Sequence, residues 1–285
     1  MYAFVLIYFD NKIKYIELAL YFLLMLKKYT KNDIIFMYSI NDTPDNYVKI
    51  IQNINVETIG YDDKNITYEI NNFKSSYIHF NTLRSCNFIF AYQLIKYKKI
   101  CIIESDMVIT QNIDSVFELK TPSILYYQDG YNKNLNKREL NYKIEFNKNE
   151  IKDKINKCSE KSEFNGGILL FKPSKVMYNK FLKSIKIIIN NQCKYPNEML
   201  FVYCQNKIYN LPVKYNLSHF YLNNFPIKDK ILIYHFNSVI YKPLDIIKDK
   251  YIDKISKKKK EIILFFKKNV YDIYFKKINK LLSEN

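Results

Sequence analysis

Three short stretches of this 285-residue chain combine residue types that could do chemistry together. The first is Ile102-Ile103-Glu104-Ser105-Asp106-Met107-Val108-Ile109, where two carboxylates one residue apart sit between apolar runs. In an extended segment residues i and i+2 point to one side, so both acids can face one divalent cation. Hard carboxylate oxygens suit magnesium or manganese, and such a cation can bridge the two phosphates of a nucleotide diphosphate. Standing alone, such a triplet is common and reads more readily as a strand ending in a solvated acidic loop.

The second stretch is Ile231-Leu232-Ile233-Tyr234-His235, an apolar strand pattern closed by a histidine, with Lys242 and Pro243 seven and eight residues further on. An imidazole can complete a carboxylate metal site and tilts the choice toward manganese. A nearby lysine can place a point charge on a departing phosphate. The remaining histidines, His79 and His219, read as structural. The third stretch, Phe164-Asn165-Gly166-Gly167 followed by Ile168 to Ser174, uses two of only four glycines in the chain. Adjacent glycines let the backbone approach a ligand closely or turn with positive φ, and Asn165 offers both amide donors and an acceptor. An ordinary turn into a strand explains the same residues.

The elements that must position these groups alternate. Ala3 to Tyr8 reads as a buried strand, Lys14 to Tyr29 as a helix, Ile34 to Ile40 as a strand, Pro44 to Asn53 as a short helix and Val56 to Ile59 as a third strand. Ser75 to Tyr97 reads as a long helix leading into Ile100 to Ile103, a central strand. Strand–helix alternation implies a mostly parallel sheet covered on both faces, with ligands collecting at the carboxyl ends of strands. A turn at Ile113 to Leu119 and a strand at Ser123 to Gln128 follow. Residues 130–163 read as a polar excursion or lid. Order resumes with Gly167 to Phe171, a helix from Ser174 to Asn190, a short helix at Asn197 to Cys204, and strands at Ile208 to Leu211 and Ile231 to Tyr234. From about residue 246 the chain reads as a Lys-rich amphipathic helical extension of a single domain spanning 1–245.

Composition bounds the partners. The formal charge is +17, yet only Arg84 and Arg138 among 45 basic residues are arginine, the side chain on which base readout leans. Nucleic acid is therefore set aside, while an attraction for polyanions such as nucleotide diphosphates stands. Cys86, Cys101, Cys158, Cys193 and Cys204 show no paired-ligand spacing and read as reduced thiols of a cytoplasmic protein. Met1 to Phe9 reads as a first strand, not a signal peptide, and Tyr15 to Tyr29 as a buried helix, not a membrane span. A homodimer, and weak peripheral contact of the basic C-terminal helix with a membrane surface, are both compatible with the sequence.

Taken in order, these stretches resemble the family-8 glycosyltransferases, the glycogenin-like group, across roughly residues 3–243. Glu104-Ser105-Asp106 looks like that family's Asp-x-Asp motif, followed by the Asn112-Ile113-Asp114 turn. Phe164 to Ser174 is similar to its Phe-Asn-Ser-Gly strand and Pro-Ser helix start, and Leu211-Pro212-Val213-Lys214-Tyr215-Asn216 matches its Leu-Pro-x-x-Tyr-Asn motif. His235-Phe236 and Lys242-Pro243 look like its last metal and diphosphate motif. The resemblance implies an α/β fold, a single GT-A (Rossmann-like) domain with a mixed, mostly parallel sheet and a C-terminal helical extension. It also implies retaining, manganese-dependent transfer from a UDP-sugar, with magnesium as second choice, to an unidentified acceptor. Glu104, Asp106 and His235 would hold the metal, and Lys242 the diphosphate. Asn165, Asn197 and Glu198 would lie near the sugar. Tyr8, Asp10, Tyr15, Arg84, Ser105, Gly167 and Ser238 would contact the donor. Glu104 lengthens the usual first Asp by a methylene, Asn197-Glu198 stands where the family shows Asp-Gln, and Lys242 lies one residue further from His235. A self-glycosylating protein, or an inactive sugar-nucleotide or polyanion binder, remains as the alternative.

Overall fold

A computed structural model describes residues 1–64, 66, 84–126, 140–157, 163–191, 193, 195–205, 207–218, 231–237, 242–248 and 256–284. Two sheets carry the molecule. Eight strands lie in the order β3-β2-β1-β4-β8-β6-β9-β7: β1 (Tyr2–Tyr8), β2 (Asp33–Ser39), β3 (Glu57–Tyr61), β4 (Lys99–Ile103), β6 (Ser123–Tyr126), β7 (Lys143–Glu145), β8 (Phe164–Phe171) and β9 (Lys207–Asn210). Strands β8 and β7 run against the other six. The fold class expected from the alternating pattern, an α/β domain with a mixed, mostly parallel sheet, is the one found. A small second sheet joins β5 (Met107–Ile109), β10 (Leu217–Ser218) and β11 (Ile233–His235).

The parallel strands read as continuous apolar runs because both faces are covered: Ala3, Phe4, Val5 and Leu6 are all buried. One face packs on α1 (Ile13–Tyr29), whose residues 16–26 are buried without exception. That helix is enclosed because the C-terminal helices, α7 (Lys257–Phe266) and α8 (Asp272–Ser283), lie on its outer side. Tyr21 meets Phe266 at 6.3 Å and Tyr271 at 5.2 Å, ring to ring. Ile262, Ile263, Val270 and Ile278 thus belong to the same core as the first strands, so the Lys-rich tail is packed on the domain. No helix of the described residues is long and apolar enough to cross a membrane.

Four expectations need correction. Within 75–97, the described part is a 3-10 helix, Ser85–Gln93, which keeps Phe88, Ile89 and Tyr92 buried; residues 67–83 lie outside the described residues. Residues 130–163 are more than a solvated excursion, because their described part contains β7, paired with β9, and α3 (Lys148–Asn156). That helix starts on a capping box, in which Asn147 Oδ1 accepts from Glu150 N and Glu150 Oε2 accepts from Asn147 N. Polar composition hid a short edge strand and a capped helix. The strand expected from Gly167 begins earlier, at Phe164, so the glycine pair lies inside β8. Cys86, Cys101 and Cys204 are free and buried, but Cys193 is disulfide-bonded, contrary to the expectation of reduced thiols throughout.

The remaining helices, α2 (Asp45–Gln52), α4 (Lys175–Asn190), α5 (Pro196–Cys204) and α6 (Pro243–Lys248), follow the apolar spacing. Ser174 caps α4 by accepting from Met177 N at 3.4 Å.

Candidate metal and donor site

Strand β4 ends at Ile103, and the chain turns through Ser105 and Asp106 before β5 departs into the small sheet. Glu104 and Asp106 therefore do not share a face by strand alternation, as the extended-segment reading had it. What brings them together is the small sheet. Strand β11 pairs antiparallel with β5, placing His235 opposite Met107, and Phe236 N donates to Asp106 O at 3.0 Å. His235 Nε2 then lies 3.1 Å from Glu104 Oε2 and 3.3 Å from Asp106 Oδ1. The ligand-type atoms of these three residues all fall within 4.8 Å of one another.

A chain of hydrogen bonds fixes the imidazole. Gly167 N donates to Asn165 Oδ1 at 2.9 Å, so that atom must be the amide oxygen. Asn216 Nδ2 donates to the same oxygen at 3.1 Å, which turns Asn216 Oδ1 toward His235 Nδ1, 3.0 Å away. Nδ1 must be the protonated nitrogen here, because it faces an oxygen with nothing to donate. Nε2 is thereby aimed at the two carboxylates. Asn216 was visible as part of a motif, yet nothing in its neighbourhood along the chain assigned it this orienting position.

Charge balance completes the site. Lys242 Nζ pairs with Asp106 Oδ2 and donates to Phe236 O at 3.3 Å. Burial alone would raise the Asp106 carboxyl, but Lys242 and His235 hold it well below the usual carboxylate range. Burial opposes charging His235, and the Asp106 and Glu104 carboxylates outweigh it, pushing the ring up to about 9. Glu198 is held toward its neutral form: burial first, then Glu104, push it up to about 8 against a hydrogen bond from Gly166 N at 3.2 Å.

Gly166 and Gly167 have negative φ, so of the two uses of paired glycines only close approach applies. A Cβ on Gly167 would fall 2.3 Å from His235 Cε1, and one on Gly166 would fall 2.6 Å from Asn197 Nδ2. The approach is to the protein's own site residues.

These observations test whether the residues fit a cation. The set offers two carboxylates and one imidazole nitrogen, with the other nitrogen committed to Asn216. Asp106 Oδ1 is buried and, among the described residues, has no neighbour but His235 Nε2, 3.3 Å away, to satisfy it. A buried carboxylate oxygen beside a directed imidazole suits a borderline divalent ion such as manganese.

A cleft of about 290 Å³ opens beside this cluster. Of the residues singled out from sequence, Glu104, Ser105, Asp106, Tyr15, Asn197 and Lys242 line it, together with Gly166. Tyr8 does not: its ring is buried against Phe36 at 5.3 Å. Asp10 instead accepts from Lys12 N at 2.8 Å and shapes the β1–α1 loop. Arg84 pairs with Asp42 and donates from Nη1 to Phe9 O at 3.0 Å, so it clamps that loop. Ser238, His79 and His219 lie outside the described residues. One group went unnoticed in the sequence: Asp63, 1% exposed, accepts from Ser39, Asn41 and Asn87 beside the end of β2.

No family model and no curated protein matches this sequence. Solved structures do match. The galactosyltransferase LgtC in complex with donor and acceptor sugar analogs aligns at TM-score 0.54 and 12% identity, covering 85% of this chain and 88% of LgtC. The bifunctional glycosyltransferase WbbM aligns at 0.54 and 14%, over 89% of this chain, which spans about half (49%) of WbbM. The glycosyltransferase GlyE of Streptococcus pneumoniae TIGR4 aligns at 0.53 and 14%, over 96% of this chain and 63% of GlyE. At these identities the likeness is one of fold, and that fold is GT-A, as the motifs implied.

Proposed function

We propose that this chain is a glycosyltransferase that moves a hexose from a UDP-sugar to an acceptor, with manganese bound by Glu104, Asp106 and His235 and with retention of anomeric configuration. The observation that carries the reading is the meeting of two carboxylates with a tautomer-fixed imidazole distant in sequence, the two carboxylates lining one cleft. Support from the fold is independent of it, since LgtC, solved with donor and acceptor sugar analogs, shares the architecture. The unit of function is residues 1–245, with 246–285 as its extension, whose described residues 256–284 pack on the same core.

A bound divalent cation would supply Lewis-acid neutralisation of the diphosphate. The protein's own residues do the rest. Lys242, held beside Asp106, sits where its ammonium can balance charge developing on the leaving diphosphate. Tyr15 and the clamped β1–α1 loop form the wall for the nucleoside. Asn197 presents an amide to the cleft from the first turn of α5. Glu198 is buried behind Gly166, and a carboxyl pushed up to about 8 is neutral at pH 7 and a poor nucleophile. Same-face attack, with the diphosphate assisting acceptor deprotonation, is therefore favoured over double displacement; a glycosyl adduct trapped on Glu198 would reverse this.

The test is a screen of UDP-sugars for manganese-dependent release of UDP. At least one donor should be turned over, and Asp106→Ala should remove that turnover. Full activity in Asp106→Ala, or no release from any UDP-sugar by folded protein, defeats the proposal. An inactive binder would bind UDP-sugar without releasing UDP. The basic run Lys257–Lys260 at the start of α7 is the part of the surface suited to weak contact with anionic lipid.

A further inference from the structure

The two oxygens of Asp106 have different partners. Oδ1 faces His235 Nε2 at 3.3 Å, whereas Oδ2 pairs with the Lys242 ammonium. The same ammonium donates to Phe236 O at 3.3 Å, and Phe236 N donates to Asp106 O at 3.0 Å. Lys242 thus closes a ring of bonds that ties the residue after His235 to a carboxylate of the candidate metal site. Its backbone is held from behind, because Pro243, Leu244 and Ile246 of α6 are buried. The ammonium itself stays within reach of a ligand. Lys242 lines the donor cleft, and its side chain is 22% exposed against 8% for Asp106. Burial opposes the charge, and Asp106 and then Glu104 outweigh it, so the Lys242 pKa lies above the ordinary lysine value.

A count of charges shows the consequence. Glu104 and Asp106 carry two negative charges, which one divalent cation neutralises, while a ligating imidazole is neutral. Lys242 adds a positive charge on Asp106 for which these ligand-type residues hold no counter-charge. A cation entering beside that ammonium meets repulsion that solvent screens poorly at so buried a site. A diphosphate supplies the missing negative charge, and its oxygens can accept from the ammonium that the cleft exposes. The flexible four-carbon stem of lysine lets the ammonium pass from Asp106 to a phosphate while the backbone stays in place.

We propose that Lys242 makes cation and diphosphate binding mutually dependent: it weakens the grip of Glu104, Asp106 and His235 on a divalent cation until a nucleoside diphosphate takes up its ammonium. The inference rests on the glycosyltransferase reading and deepens it. A lysine that served the diphosphate alone would leave the cation affinity of the nucleotide-free chain untouched.

Lys242→Met keeps the length of the stem and removes the charge, whereas Lys242→Arg keeps the charge. Each, shown to be folded by circular dichroism, is titrated with manganese chloride by calorimetry at one pH, without and with saturating UDP. Without UDP, Lys242→Met should bind manganese about 10- to 100-fold more tightly than the parent chain. Lys242→Arg should stay within about threefold of the parent, since the positive charge remains. UDP should raise manganese affinity by a larger factor in the parent chain than in Lys242→Met, and manganese should raise UDP affinity by the same factors. If Lys242→Met does not fold, Lys242→Gln, neutral and still a hydrogen-bond donor, carries the same expectation. Manganese bound no more tightly by the neutral variant overturns the proposal, as does an equal UDP factor in the two chains or tightening in Lys242→Arg to match. Any of these results, with manganese still bound by the parent chain in the presence of UDP, removes the Lys242 assignment alone. Absence of manganese binding by the parent chain in both conditions removes the cation site beneath it.

Discussion

Replacing Asn216 by Ala tests the site at a residue that touches neither donor nor cation. Asn216 is fully buried and is the acceptor for His235 Nδ1–H. Without it, the imidazole loses the partner that fixes its tautomer and plane. Removing a partner of this kind from a metal-ligating histidine typically weakens metal binding ~10- to 100-fold, or about 1.4–2.8 kcal/mol. Folding should suffer by a comparable amount, because a buried N–H is left unsatisfied, at about 1–3 kcal/mol. Asn165 Oδ1 keeps its bond from Gly167 N, so the damage stays local. Manganese titration by calorimetry, on protein shown to be folded by circular dichroism, measures the first term, and thermal unfolding without metal measures the second. Asn216→Asp should recover metal affinity, since a carboxylate still accepts from Nδ1, but not stability, since it faces the Asn165 oxygen. If Asn216→Ala binds manganese within twofold of the parent chain, the orientation argument is wrong and His235 is not a directed ligand.

The pH dependence follows from His235. Its metal-free value of about 9 lies above the ordinary 6.5, so the stability it contributes is complete below pH 6.5 and lost as pH rises through 9. Metal binding must expel that proton, so apparent manganese affinity should fall about tenfold per pH unit below 9; isothermal titrations at pH 6, 7 and 8 that superimpose would contradict this. Gly167→Ala should cost at least about 1–3 kcal/mol and lower manganese affinity, because the added methyl meets His235 and Met107 well inside contact distance; an unchanged melting temperature would show that the ring can yield. Arg84→Lys keeps the charge but loses the fork that spans Asp42 and Phe9 O. It should raise KM for the donor severalfold with kcat little changed, whereas a fall in kcat alone would place Arg84 at the phosphates instead.

Much of the frame was legible in the residues. Continuous apolar runs such as Ala3 to Tyr8 and Ile100 to Ile103 require burial on both faces, which fixes a covered, mostly parallel sheet. Acid-x-acid at the end of one such run and a histidine at the end of another supplied the site's chemistry, although each by itself fits a strand end with no such use. Local sequence failed where the cause is non-local. Periodicity could not tell the 3-10 geometry of Ser85–Gln93 from an α-helix, nor find β7, whose strand character comes from pairing with β9. It also put Glu104 and Asp106 on one face of an extended segment, when the chain turns there and a cross-strand register recruits His235. By itself, then, the sequence determined the layered α/β fold and picked out Glu104, Asp106 and His235, whose ligand-type atoms the fold gathers within 4.8 Å of one another. Only the tertiary structure decided that Asn216 orients the imidazole, that Gly167 is small to admit His235, and that Arg84 clamps a loop. Each of those depends on contacts between segments 19 to 75 residues apart, and no local propensity encodes them.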